Sequence, residues 1–225
     1  MAETDLDFGA LRDDMVQQQL VTRDITDRRV LDAMRSVPRH LFVSKGMRRM
    51  AYWDGPLSIG ERQTISQPYI VALMTQLLRL AGHEMVLEVG CGSGYQAAVL
   101  ACLAEQVITI ERHPTLASKA RELLKQLGHT NVTVLVGDGS AGVPDEAPFD
   151  AIMITAATPT TVPPPLKEQV KDGGRIVAPV GGMGSQVLEV LERRGTDWRT
   201  VRSIPVMFVP LIGKHGWEEK EYGYW

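Results

Sequence analysis

The chain has 225 residues, 44% of them hydrophobic and 23% charged, with a formal net charge of −3. That length and apolar share suit one large or two small globular domains. Lys and Arg are scattered, which excludes a basic nucleic-acid footprint or an anionic-membrane patch as the organising feature. The two cysteines, Cys91 and Cys102, make no disulfide framework and fit reduced thiols. Residues 1–14 are acidic without an apolar core, so no signal peptide is expected. No run approaches membrane-spanning length, and a soluble, cytoplasmic protein is expected.

In chain order, residues 13–20 and 27–34 are amphipathic at helical spacing, with Asp27 placed as an N-cap. Val37-Pro38-Arg39 breaks the second helix. Residues 52–67 carry Gly55, Pro56 and Gly60 with no sustained period and read as a long loop, a kind that compact domains usually use functionally. Residues 69–80 return to helical spacing and stop near Gly82.

From Met85 the rhythm alternates. Strands are expected at 85–89, 107–111, 132–136, 149–155 and 174–179, and helices at 95–103, 116–127 and 166–170. Such alternation predicts an α/β fold with a doubly wound, mostly parallel sheet covered by helices on both faces. Strand-like runs at 187–191 and 198–209, with Gly195 at the bend, predict an antiparallel strand near the C-terminal end.

Glu88-Val89-Gly90-Cys91-Gly92-Ser93-Gly94 stands where a strand ends and a helix begins. Glycines there let the backbone turn tightly and approach a ligand, although tight turns also use glycine for structure alone. Glu111 closes the next strand about twenty residues beyond Gly90, where a carboxylate can accept from ribose hydroxyls. Gly137-Asp138-Gly139 ends the third strand; Asp138 can accept from an adenine amine, or can make a plain Asp-Gly turn. These positions share the carboxyl ends of parallel strands, where open sheets bind ligands. The spacing G-x-G-x-G differs from the dinucleotide pattern, and the acidic Glu88 suits a cationic ligand better than a pyrophosphate. S-adenosyl-L-methionine is therefore favoured over a nicotinamide cofactor. Cys91 has no histidine near it and is read as a packing residue.

The glycine-rich run resembles the signature of class I, Rossmann-like methyltransferases. More specifically, Gln63-Thr64-Ile65-Ser66-Gln67-Pro68-Tyr69 resembles the segment that distinguishes protein-L-isoaspartate O-methyltransferases. Supporting matches are 86–96, 137–139, 149–157, 172–181 and 208–211, so the likeness leaves out only the first ten or so residues and the tail beyond Gly216. Cys91 departs from the small hydroxyl residue of many members.

The resemblance implies methyl transfer from S-adenosyl-L-methionine to the free α-carboxylate of L-isoaspartyl residues in damaged proteins and peptides. The product cofactor is S-adenosyl-L-homocysteine, and the methyl ester converts through a succinimide partly to normal aspartyl. It assigns the active-site serine to Ser66, which could otherwise be an N-cap for the following helix. The expected cofactor contacts are Gln63, Thr64, Ile65, Ser66, Glu88, Gly90, Gly92, Gly94, Glu111, Asp138 and Gly139. Ser66, Val209 and Pro210 are expected at the substrate.

The resemblance further implies a cytoplasmic monomer, and the scattered Lys and Arg lead to the expectation of neither nucleic acid nor membrane as a partner. One domain over 1–225 is expected, comprising N-terminal helices and substrate loop (1–82), cofactor core (83–184) and C-terminal strands and tail (185–225). His40, His83, His113, His129 and His215 lack ligand spacing, so no metal site is expected. The alternative is a class I methyltransferase acting on a small molecule or another acceptor, with the Ser66 loop as a lid. Whether the aromatic tail 217–225 packs back on the domain stays open.

Overall fold

The computed structural model describes residues 7–182 and 184–219. The chain enters through α1 (Phe8–Met15), whose cap Asp7 accepts from the amides of Gly9 and Ala10. That cap starts the helix earlier than apolar periodicity alone predicts, and a π-helical stretch, Val16–Val21, continues it. Helix α2 (Arg28–Ser36) is capped by Asp27, as expected. Two 3-10 turns follow, Arg39–Phe42 and Lys45–Met50.

The segment expected to be a long loop holds an antiparallel hairpin, β1 (Leu57–Gly60) with β2 (Gln63–Ile65). Its turn runs through Gly60, Glu61 and Arg62 at φ of 94°, 51° and 56°. Tight hairpin turns need this left-handed geometry and usually advertise it with Asn-Gly or Asp-Gly. Glu-Arg carries no such signal, so periodicity missed the hairpin. Helix α3 (Pro68–Leu78) begins directly after it, with Pro68 in its first turn.

The alternating region comprises β3 (Met85–Val89), α4 (Tyr95–Ala101), β4 (Gln106–Glu111), α5 (Pro114–Gln126), β5 (Val132–Val136), β6 (Phe149–Ile154), α6 (Pro164–Glu168) and β7 (Val170–Val180). Two long strands end the sheet, β8 (Gln186–Arg194) and β9 (Asp197–Val206). The seven-stranded order is β5-β4-β3-β6-β7-β8-β9. Strands β3 to β7 pair in parallel, and β8 is antiparallel to both neighbours. The helix expected at 166–170 starts two residues earlier on its prolines. β7 starts earlier too, because Val170 pairs with Phe149 before a bulge leads to Arg175 opposite Ala151. β9 ends short of 209 because the Gln186 side chain takes both backbone groups of Phe208, accepting from its amide at 2.6 Å and donating to its carbonyl at 3.0 Å.

Strand alternation divides the core into two layers. Val86, Val107 and Met153 face a cluster shared with the N-terminal helices, α4 and α5, while Leu87, Ile108 and Ile152 face a second cluster with Leu166 of α6. The strand order reverses at β3, and its neighbours β4 and β6 part there to open a crevice beyond their carboxyl ends.

Candidate active site

A cavity occupies that crevice. Residues 63–66 at the end of the hairpin form one wall, and 89–93 with Tyr95 form the second. Ile110, Glu111 and Arg112 make the third, and Val209, Pro210, Leu211 and Ile212 the fourth. Gly139 and Thr155 also line it.

The glycine loop is held from beneath. The amides of Gly90 and Cys91 donate to the Ile110 carbonyl at 2.9 and 3.4 Å. The Thr155 hydroxyl donates to the Gly90 carbonyl at 2.6 Å. Gly90 has a φ of 100°, and a Cβ there would collide with Thr155 Oγ1, so only glycine fits. A Cβ on Gly139 would stand 2.6 Å from Val89 Cγ1.

Glu111 Oε2 accepts from the Gly92 amide at 2.8 Å, and Oε1 from the His113 amide at 2.9 Å. Each oxygen keeps a lone-pair site, so the carboxylate is fixed and still able to accept from a ligand hydroxyl in the cavity.

Ser66 is half-buried between β2 and α3, and its carbonyl accepts from Arg39 Nη2 at 2.7 Å. The N-cap of α3 is Gln67, without a side-chain cap bond. Ser66 is therefore not used as a cap, and it lines the cavity. Val209 and Pro210 are placed by backbone pairing: the Ala157 amide donates to the Val209 carbonyl at 2.7 Å and the Leu211 amide to the Ala157 carbonyl at 2.8 Å.

Gln63, Thr64, Ile65, Ser66, Gly90, Gly92, Glu111, Gly139, Val209 and Pro210 thus come together around one cavity. Glu88, Gly94 and Asp138 are not among the residues that line it. Glu88 shares a strand face with Val86, is fully buried beneath the helix layer, and neither carboxylate oxygen has a hydrogen-bond partner. Burial pushes its carboxyl up to about 8; the Thr109 hydroxyl opposes this and the Glu111 charge adds to it. Gly94, at φ 87°, lets α4 pack on α5, where a Cβ would stand 3.1 Å from that of Ala120.

Asp138 clamps the C-terminal segment. Its carboxylate accepts from the Ser140 hydroxyl at 2.7 Å and the Lys214 amide at 2.7 Å. Burial alone would raise its pKa, but these bonds more than offset that and hold it below the ordinary value. Trp217 of the tail packs back, its indole donating to the Ala157 carbonyl at 3.1 Å, and Glu219 pairs with Arg112 at 2.9 Å. Residues 220–225 of that tail lie outside the described residues.

Residues unmarked by sequence also line the site: Tyr95, Gln96, Arg112, Thr155 and Ile212. Thr155 and Ile212 come from segments whose position depends on tertiary pairing. Arg112 was findable as the neighbour of Glu111. Cys91 lines the cavity too, but burial first, and the Glu88 charge second, push its thiol well above its ordinary range, so it stays un-ionised. Among the described residues no cluster could hold a metal ion, and no histidine lines the cavity.

The model of the protein-L-isoaspartate(D-aspartate) O-methyltransferase family matches residues 11–216. Protein-L-isoaspartate O-methyltransferase 1 of Syntrophobacter fumaroxidans is 56% identical over 213 residues, covering 95% of this chain and 99% of that protein. The protein-L-isoaspartate O-methyltransferase of Methanoculleus marisnigri is 54% identical, over 92% of this chain and 94% of its own. A solved protein-L-isoaspartate O-methyltransferase superposes with a TM-score of 0.81 at 27% identity, covering 91% of this chain and 67% of that one. A Plasmodium falciparum structure in complex with S-adenosyl-L-homocysteine shares the fold, with a TM-score of 0.77 at 24% identity over 89% of this chain and 98% of its own. By sequence across nearly its whole length, this chain belongs to the protein-L-isoaspartate(D-aspartate) O-methyltransferase family.

Proposed function

We propose that the chain methylates the free α-carboxylate of L-isoaspartyl residues in damaged proteins and peptides, using S-adenosyl-L-methionine and releasing S-adenosyl-L-homocysteine. The ester then closes to a succinimide, whose hydrolysis returns part of the material to normal aspartyl linkage. The observation that carries this is near-full-length identity above one half to proteins of that name, with Ser66 and Glu111 on the walls of one cavity.

The residues present fit an adenosyl ligand. Glu111 keeps free acceptor sites toward the cavity, and Gly92 at φ 53° leaves only 3.3 Å between a would-be Cβ and Ile59 Cδ1 of the hairpin. When bound, the cofactor supplies a methyl group on a sulfonium. Glu111 would accept from its ribose hydroxyls, and Gly90, Gly92, Gly139 and 63–65 would hold it through backbone. Gly94 and Asp138 act by supporting the wall, and Glu88, buried and protonated at neutral pH, shapes the cradle from beneath.

An acceptor carboxylate is ionised at neutral pH, because free carboxyls titrate near ~4. It needs no general base, in keeping with a cavity lined without histidine. Ser66 donates to one carboxylate oxygen and aims the other, while Val209 and Pro210 border the peptide and exclude water. Orientation and exclusion of water supply the acceleration.

We read residues 1–225 as one catalytic domain, monomeric and cytoplasmic, with polypeptides as partners and neither nucleic acid nor membrane. Among the described residues no helix is long and apolar enough to cross a membrane. The test is methylation of an isoaspartyl peptide against its normal aspartyl counterpart. Methylation of the first alone is expected; equal labelling of both, or labelling of a small-molecule acceptor in preference to either, would reject the repair function.

A further inference from the structure

Arg39 is fully buried, 0% exposed, in the 3-10 turn just after α2. Its Nε donates to the Ala51 carbonyl at 2.6 Å and its Nη2 to the Ser66 carbonyl at 2.7 Å. Its Cζ lies 4.8 Å over the Tyr95 ring. Nη1 is buried and donates to nothing. Burial lowers its pKa to about 10, the Tyr95 and Tyr52 hydroxyls opposing, so the group stays cationic at neutral pH. Among the described residues no carboxylate pairs with it.

An interior cation without a counter-charge is costly, and two neutral carbonyls and a ring face do not neutralise it. Apolar packing would serve the fold better. Yet both Ser66 and Tyr95, which it touches, line the cavity. The charge therefore stands directly behind the wall at which the acceptor carboxylate is aimed.

We infer that Arg39 is a positioning residue: it fixes the backbone of Ser66 and supplies, through that wall, the counter-charge that makes the site select anionic acceptors. This rests on Ser66 as the carboxylate-binding residue of the proposed reaction. The charge balance also favours turnover. A carboxylate oxygen forms the new bond to the methyl carbon, the sulfur–methyl bond breaks with its electron pair going to sulfur, and the acceptor becomes a neutral ester. The attraction from Arg39 that held the substrate is then lost to the product.

The test compares an isoaspartyl peptide with its isosteric neutral carboxamide, binding each by calorimetry to the enzyme loaded with S-adenosyl-L-homocysteine. Wild type should prefer the carboxylate by about tenfold or more. Arg39→Met should reduce that preference to within about threefold while cofactor affinity moves by less than about threefold, and Arg39→Lys should keep it. Full preference in Arg39→Met, or its loss in Arg39→Lys, overturns the inference. If Arg39→Met does not fold by circular dichroism, Arg39→Lys alone decides, retention supporting and loss refuting. A wild type that methylates the isoaspartyl peptide but binds both ligands equally refutes the role of Arg39 alone. A wild type that methylates no isoaspartyl peptide fails the proposed function instead.

Discussion

The Gly92 amide donates to Glu111 Oε2 at 2.8 Å, tying the glycine loop after β3 to the end of β4. One carboxylate thus both braces the loop and faces the cavity, so a neutral replacement separates the two roles. Glu111→Gln keeps the shape and an acceptor oxygen but loses the charge. A hydrogen bond to a charged acceptor contributes about 1.5–3 kcal/mol. S-adenosyl-L-homocysteine should therefore bind roughly 10- to 150-fold more weakly, as read by calorimetry. Unchanged affinity with a lowered Tm would leave Glu111 as a loop brace only.

Ser66→Ala removes one hydroxyl from the cavity while the bond from Arg39 to the Ser66 carbonyl remains, since that bond is to backbone. kcat/KM for the isoaspartyl peptide should fall by roughly 10- to 150-fold, the worth of one hydrogen bond to a charge, with cofactor affinity nearly unchanged. Collapse of cofactor binding with normal turnover of the bound complex would move Ser66 out of the acceptor subsite.

The cradle was legible because its signals are local: glycines and a strand-end carboxylate at fixed spacing, on strands whose apolar runs announce themselves. The period-two rule sets Glu88 on the same strand face as the buried Val86, so its burial was legible too. The hairpin stayed hidden because Glu61 and Arg62 occupy positions where a turn signal was wanted. Arg39 could not be found at all. Its contact with Ser66 spans 27 residues and depends on the packing of three segments.

Two glycines with positive φ allow strain and close approach to be told apart. Gly173, at φ 77°, has open space where a Cβ would stand, with nothing within 4 Å. Gly173→Ala therefore carries only the left-handed penalty, about 1–2 kcal/mol. Gly90→Ala adds overpacking against Thr155 of about 1–3 kcal/mol. With about 2–4 °C of Tm per kcal/mol for a chain of this size, Gly90→Ala should lower Tm roughly twice as far. Removing the clashing hydroxyl in Gly90→Ala/Thr155→Ala should recover part of the loss. Equal losses in the two single variants would mean that the Thr155 contact yields freely.

Glu88 makes stability fall across the mildly acidic to neutral range. Its carboxyl is raised in the fold from an ordinary 4.5 to about 8. Between those values the unfolded chain releases a proton that the folded chain retains, so stability is highest below 4.5, falls as pH rises, and levels off above about 8. Asp138, held below its ordinary 3.8 despite its burial, acts with the opposite sign: its contribution is present above that value and lost in acid. Glu88→Gln substitutes a permanently neutral group of the same shape and should abolish that fall. The variant should match wild type near pH 5 and exceed it at pH 9 by an amount on the order of a few kcal/mol. Denaturant melts across that range check this. Parallel wild-type and variant curves would mean that Glu88 ionises in place, with its charge stabilised inside the helix-covered layer.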